Sequence, residues 1–330
     1  MNKFKVAVFS SKPYDQKSFN AAVPEHIELT YFETRLTQQS VNLAKGFDAI
    51  CAFVNDELNA EILNQLNNMS IKGIALRCAG FNNVDMASYQ SMPIRAARVP
   101  AYSPEAVAEH TIAMMMTLNR KLHKAYNRTK EDNFSLDGLL GFNIHQKTVG
   151  LIGTGKIGLA TARIFKGFGA KVIAYDPMPS KVAQEIGFEY VELDQLLAGS
   201  DIISLHSPLN DATHHIIDSQ AISKMKQGVM LINTSRGGLV DTHAVITALK
   251  SGQIGNLALD VYEQESELFF EDHSANVVQD DVFQRLLTFP NVLITGHQGF
   301  FTAEALHQIA TTTMYNLQCF ANAAHCDNEI

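Results

Sequence analysis

The sequence predicts an α/β protein built from two doubly wound domains with mainly parallel sheets. Three observations carry that prediction. A chain of 330 residues exceeds what one ordinary hydrophobic core organises. Short apolar runs alternate with helix-spaced stretches, the βα pattern of a parallel sheet. The alternation comes as two series, separated by a long helical segment and a glycine-bearing loop.

In the first series Phe4–Phe9, Glu28–Phe32, Ala49–Val54 and Gly73–Cys78 read as strands. Polar stretches with helical spacing lie between them, as at Leu58, Ile62, Leu63 and Leu66. The break comes at Pro100–Pro104, where Ser103 suits an N-cap and Pro104 a first helical turn. The helix that follows is expected to run to about Arg128, about twice the usual length and enough to bridge two domains. Asp132–Asn143, with Gly138 and Gly141, reads as loop. The second series places strands at Thr148–Ile152, Lys171–Tyr175, Asp201–Leu205, Val229–Asn233, Asn256–Asp260 and Val292–Thr295. The last segment, Thr302–Phe320, is helical, with Leu306, Ile309, Ala310, Leu317 and Phe320 on roughly one face.

Composition narrows the function classes. Apolar residues make up 46% and charged residues 18%, ordinary for a globular protein. A formal net charge of -8 argues against nucleic acid or an anionic membrane as partner. No stretch has a signal-peptide layout or the length and purity to span a bilayer, so a cytoplasmic protein is expected. Cys51, Cys78, Cys319 and Cys326 form no CxxC pair and read as reduced thiols. No Cys/His cluster has zinc-ligand spacing, so no metal is expected.

The most informative segment is Thr148–Gly158, TVGLIGTGKIG. A buried strand enters a turn carrying Gly153, Gly155 and Gly158 in the GxGxxG spacing. Gly153 permits the tight turn, Gly155 lets backbone approach a pyrophosphate, and Gly158 lets the helix pack close to the strand. The helix N-terminus offers free N–H groups to the phosphates. The second strand ends at Asp176, at the spacing of a ribose-binding carboxylate that would repel a 2′-phosphate. The expected cofactor is therefore NAD rather than NADP.

Three later strands end in polar clusters: Asn233–Gly237, Asp260–Glu265 and Thr295–Gln298. Ligands of open α/β sheets bind beyond such strand ends. An arginine, an acid and a histidine there suit reduction of a 2-oxo acid, which needs a cationic fork for the carboxylate and a proton donor for the carbonyl.

These residues sit in RCAGFNNVD (Arg77–Asp85), VPAYSPEAVAEH (Val99–His110), INTSRGGLVD (Ile232–Asp241), LDVYEQE (Leu259–Glu265) and GHQGFFT (Gly296–Thr302). With the glycine motif, they resemble the D-2-hydroxyacid dehydrogenase family over essentially the whole chain, most nearly its fermentative lactate branch. The resemblance implies a flavodoxin-like substrate domain, 1–102 plus 300–330, and a Rossmann NAD-binding domain, 103–299. It implies Arg236, Glu265 and His297 as the catalytic three. Arg236 would bind the substrate carboxylate, His297 would be the acid/base, and Glu265 would hold the imidazole. It implies substrate contacts at Cys78, Ala79, Gly80, Tyr102, Arg236 and Phe300. Further cofactor contacts fall at Lys156, Ile157, Ser207, Pro208, Thr213, Asn233, Thr234, Ser235 and Asp260. The implied reaction is reversible reduction of pyruvate to D-lactate with NADH by a homodimer or homotetramer. A broader 2-oxo acid reductase and an NADH-sensing binding protein are the alternatives. Thr213, where this branch has asparagine, and Gly296, where proline is common, depart from the pattern.

Overall fold

The structure, a computed structural model, describes residues 3–330. The chain divides into two compact units, one made of residues up to Ser103 together with Phe300–Ile330, the other Pro104–Gly299.

In the first unit five strands run β1 (Phe4–Val8), β2 (Ile27–Tyr31), β3 (Ala49–Ala52), β4 (Gly73–Leu76) and β5 (Arg95–Ala97). They pair in parallel in the order β2-β1-β3-β4-β5. β3 and β4 are buried at every position, which is why they read as unbroken apolar runs. Helix Ala303–Ala321 packs on helix Pro13–Ala22 and on β4. The contact with β4 is so close that a Cβ at Gly73 would lie 2.4 Å from the Phe320 ring. Arg95 donates to the Cys319 and Ala324 carbonyls at 3.2 and 2.6 Å. Edge strand β5 is covered by the chain's last residues, through Arg98 N–H to Asn328 C=O and Ile330 N–H to Ala96 C=O.

The second unit holds β6 (Thr148–Ile152), β7 (Lys171–Tyr175), β8 (Glu189–Tyr190), β9 (Ile202–Leu205), β10 (Val229–Asn233), β11 (Ile254–Leu259) and β12 (Val292–Ile294). All pair in parallel, in the order β12-β11-β10-β9-β6-β7-β8. The order reverses between β6 and β9, which opens a crevice at their carboxyl ends. The glycine turn follows β6, Asp176 follows β7, Ser207 follows β9, Asn233 ends β10, Asp260 follows β11 and His297 follows β12. One fold property thus brings the predicted residues of this unit to one end of one sheet.

Two expectations need correction. The helix predicted from Pro104 to about Arg128 is two helices, Pro104–Arg120 and Leu122–Lys130, broken at Lys121 in a left-handed conformation (φ 51°). The buried face ends with Leu118 and Asn119, and the second helix buries nothing. The Asn119 side chain instead pairs with both backbone groups of Phe142, at 2.9 and 2.8 Å. Strands β5 and β8 were not expected. At three and two residues they are too short to show a period. No described helix is long and apolar enough to cross a membrane.

Candidate active site

The glycine turn behaves as its spacing requires. Gly153 has φ +96°, and a Cβ there would lie 2.6 Å from the backbone of His206 and Ser207. A Cβ on Gly158 would lie 2.3 Å from the Gly153 carbonyl oxygen. Gly155 is different: its φ of −65° suits any residue, and nothing lies within 4 Å of its Cβ position. The open side is room for a ligand. Helix Lys156–Gly167 starts there without a side-chain cap, and Leu159 N–H to Gly155 C=O is its first backbone bond. Lys156 and Ile157 thus present backbone donors beside an exposed glycine. Close by in space, where a Cβ on Gly153 would meet the Ser207 backbone, the buried Ser207 hydroxyl has no partner among the described residues. These features fit a dinucleotide pyrophosphate.

Asp176 is held in place by groups that sequence reading overlooked. Its Oδ2 accepts from Thr154 N–H at 2.7 Å and Thr154 Oγ1 at 2.9 Å, and its Oδ1 accepts from Met178 N–H at 2.8 Å. Because Thr154 donates to the carboxylate, Tyr190 must donate to Thr154 (2.8 Å), and Tyr190 in turn accepts from Ser180 N–H (2.8 Å). A carboxylate has about four acceptor sites, so three filled sites leave room for a ribose hydroxyl on Oδ1. Replacing Asp176 by serine is expected to raise the KM for NADH about tenfold and to narrow its advantage over NADPH, because the repelling charge is gone. Initial rates with each cofactor check this. A wild type that uses both equally well would remove the assignment.

The Arg236 turn is fastened on three sides. The fully buried Asn233 side chain donates to Arg236 C=O (2.8 Å) and accepts from Ser235 N–H (3.0 Å). Ser235 Oγ donates to Ser207 C=O (2.7 Å), and Thr234 Oγ1 meets Thr111 Oγ1 (2.8 Å). A Cβ on Gly237 would lie 2.1 Å from the Tyr262 carbonyl carbon, so this turn abuts the one after β11. Within that framework Arg236 makes only one hydrogen bond among the described residues, Nη1 to Ser235 C=O (2.7 Å). Most of its planar donor set is available to a carboxylate.

Glu265 and His297 meet. His297 Nδ1 lies 2.7 Å from Glu265 Oε1, and Glu265 Oε2 accepts from Tyr262 N–H at 2.9 Å. The carboxylate only accepts, so Nδ1 carries the proton and Nε2 is left to exchange one. Nε2 has no partner among the described residues. Glu263, the neighbouring acid in the same motif, is committed elsewhere: to His215 Nε2 at 2.6 Å and to the backbone and hydroxyl of Thr242.

His297 itself adopts a left-handed backbone, φ 53°, costing an L-residue about 1–2 kcal/mol. Asp260 holds it there. Asp260 C=O accepts from His297 N–H (2.7 Å), Oδ1 from Gln298 N–H (2.9 Å) and Oδ2 from Gly299 N–H (2.8 Å). Burial pushes the Asp260 carboxyl up. Hydrogen bonds from His110, Thr295 and Gln298, with the charge of His110, outweigh burial and hold it below the usual range.

His206 follows β9, its Nε2 2.9 Å from Ser204 Oγ. Burial pushes its pKa down to about 4 from the ordinary 6.5, so it is neutral at working pH. The unfolded chain binds a proton there near 6.5 that the folded chain refuses until about 4. Stability is therefore complete above 6.5 and falls as pH drops through that window. His206→Asn should flatten the decline measured by urea unfolding at pH 7 and pH 5. An unchanged decline would mean that His206 is not the group concerned.

The remaining predicted residues lie where the chain order puts them. Thr213 closes its turn on Pro208 C=O (2.6 Å), and Pro208 is exposed. In the first unit Cys78–Gly80 follow β4, and Arg98 donates to Ala79 C=O at 2.8 Å. The buried Arg77 just before them donates to Phe9 and Ser10 C=O at 2.9 and 2.7 Å. The Phe300 ring lies 6.3 Å from Tyr102 and 6.2 Å from Phe53, a neighbour that sequence reading did not single out.

A parallel sheet that reverses at a glycine turn, with an acid closing its second strand, defines the second unit as a dinucleotide-binding fold. Comparison with known proteins narrows this. Residues 112–299 match the family model described as D-isomer specific 2-hydroxyacid dehydrogenase, NAD binding domain. The chain is 52% identical to the D-lactate dehydrogenase of Escherichia coli K12 over 99% of both chains. It superposes on a structure described as the pyruvate reductase of Chlamydomonas reinhardtii with a TM-score of 0.92, at 43% identity over 99% of this chain and 98% of the other. A D-lactate dehydrogenase of Aquifex aeolicus complexed with NAD and lactic acid matches with a TM-score of 0.85, at 35% identity over 96% of each. The chain belongs to the D-isomer specific 2-hydroxyacid dehydrogenase family.

Proposed function

We propose that the chain reversibly reduces pyruvate to D-lactate with NADH. The observation that carries this reading is the pairing of an open Arg236 fork with a His297 whose tautomer Glu265 sets, both at strand ends of the NAD-binding unit. Full-length likeness to D-lactate dehydrogenases supplies the substrate and the product's hand.

NAD would supply the hydride acceptor or donor for the substrate's C2. The glycine turn and Lys156–Gly158 would hold its pyrophosphate, Asp176 its ribose, and Ser207, Pro208, Thr213, Asn233–Ser235 and Asp260 would offer its further contacts. Arg236 binds the substrate carboxylate and polarises the carbonyl. His297 delivers a proton from Nε2 to the carbonyl oxygen in reduction and removes it in oxidation. Glu265 orients the ring and stabilises its charged form. In the first unit, residues up to Tyr102 with 300–330, Cys78–Gly80 follow β4 and offer backbone N–H groups as substrate contacts. Tyr102 and Phe300 bound the space for the side chain and favour a methyl group.

A panel of 2-oxo acids with NADH, scored by kcat/KM, tests this. Pyruvate is expected to rank first. A branched or aromatic acid in first place would move the assignment to a broader reductase, and no turnover of any would leave a binding protein. The enzyme is proposed to be a homodimer or homotetramer. Exposed Leu122, Tyr126, Phe134, Leu136 and Leu140, grouped along one stretch of the second unit, support association.

A further inference from the structure

We propose that His110 and Thr111, adjacent residues on one turn of helix Pro104–Arg120, are positioning residues that set His297 and Arg236 independently. The proposal rests on the catalytic reading above. Neither residue has an assigned part in it.

His110 points to the His297 side. Its Nε2 lies 3.2 Å from Asp260 Oδ1 and 3.2 Å from Thr295 Oγ1. Thr295 Oγ1 also donates to Asp260 Oδ1. The Asp260 carboxylate is 2% exposed and brackets His297 through the Gln298 and Gly299 N–H groups. A buried carboxylate holds a strained backbone only if its own position is fixed, and His110 is the side chain that reaches it from outside the β11 and β12 turns. The fit is close: a Cβ on Gly299 would lie 3.0 Å from Asp260 Oδ2 and 3.4 Å from the His110 ring.

Thr111 points to the Arg236 side. Its Oγ1 donates to Val107 C=O at 2.8 Å, so the Thr234 hydroxyl donates to it, also at 2.8 Å. Both threonines are buried. This bond anchors the Asn233–Arg236 turn to the same helix. One rigid element thus touches the supports of the proton donor and of the carboxylate fork, through two side chains next to each other in sequence.

The two contacts predict different kinetic faults. Loss of the His110 contact lets His297 drift, which damages only the transition state. His110→Phe should lower kcat about 30-fold with KM for pyruvate nearly unchanged. Loss of the Thr111 contact loosens the Arg236 turn. Thr111→Val should raise KM for pyruvate about tenfold with kcat nearly unchanged. His110→Gln keeps a donor near the Nε2 position and Thr111→Ser keeps the hydroxyl, so each should recover to within about threefold of wild type. Rates are normalised to NADH-binding sites counted by fluorescence titration, which removes any misfolded fraction. The inference is overturned if His110→Phe keeps kcat per site within about twofold of wild type, if both variants show the same fault, or if the conservative replacements do not recover. A wild type that fails to reduce pyruvate would instead overturn the catalytic reading.

Discussion

Replacing Arg236 by lysine is expected to lower kcat/KM for pyruvate about a thousandfold, or about 4 kcal/mol of transition-state stabilisation. The charge is retained, so the loss measures geometry. A guanidinium offers a flat fork of donors to a carboxylate and the neighbouring carbonyl, whereas an ammonium is a single point. The structure makes this a clean test. Asn233 clamps the Arg236 carbonyl, and Gly237 abuts the Tyr262 backbone, so the turn keeps its shape whatever the side chain. KM for NADH should change little, because the glycine turn and Asp176 are untouched. Steady-state rates with pyruvate varied at saturating NADH decide the matter. A lysine variant within tenfold of wild type would take Arg236 out of the reaction.

The second large effect concerns the proton. His297→Gln fills similar space but cannot exchange a proton near neutral pH. kcat should fall about 10³- to 10⁴-fold in both directions. Glu265→Gln should cost less and by a different route. Tyr262 N–H claims one oxygen of residue 265, so in the variant the amide NH₂ faces His297 Nδ1. The neutral ring must then accept at Nδ1 and carry its proton on Nε2, the wrong tautomer for taking a proton from lactate. Because the pair acts as a unit, the double variant should be no slower than His297→Gln alone. Multiplying losses would show that Glu265 acts elsewhere.

What could be read without coordinates follows from period and motif. Central strands of both sheets, such as β3, β4, β9 and β10, are buried at every position and carry mostly apolar runs, and the glycine turn carries its own geometric demands, so both were legible. Residues 189–190 and 95–97 escaped because two or three residues hold no period. The break at Lys121 escaped because the Asn119–Phe142 bonds beside it cross a loop that no local pattern announces. Thr154, Tyr190, His110 and Thr111 were hidden for the same reason. Each works through a partner brought near by the fold, and a lone threonine or histidine on an apolar helix looks the same whether it supports a site or only fills space.

The first unit is assembled from both ends of the chain, and this sets an order on its birth at the ribosome. Domains fold as units as they emerge. The second unit is contiguous and is complete once Gly299 has left the exit tunnel. The earlier-made sheet must wait, with Gly73 uncovered until Phe320 arrives and with β5 open until Asn328–Ile330 close over it. The sheet made before the second unit is therefore the last to become safe from aggregation, and its protection comes from residues translated after that unit.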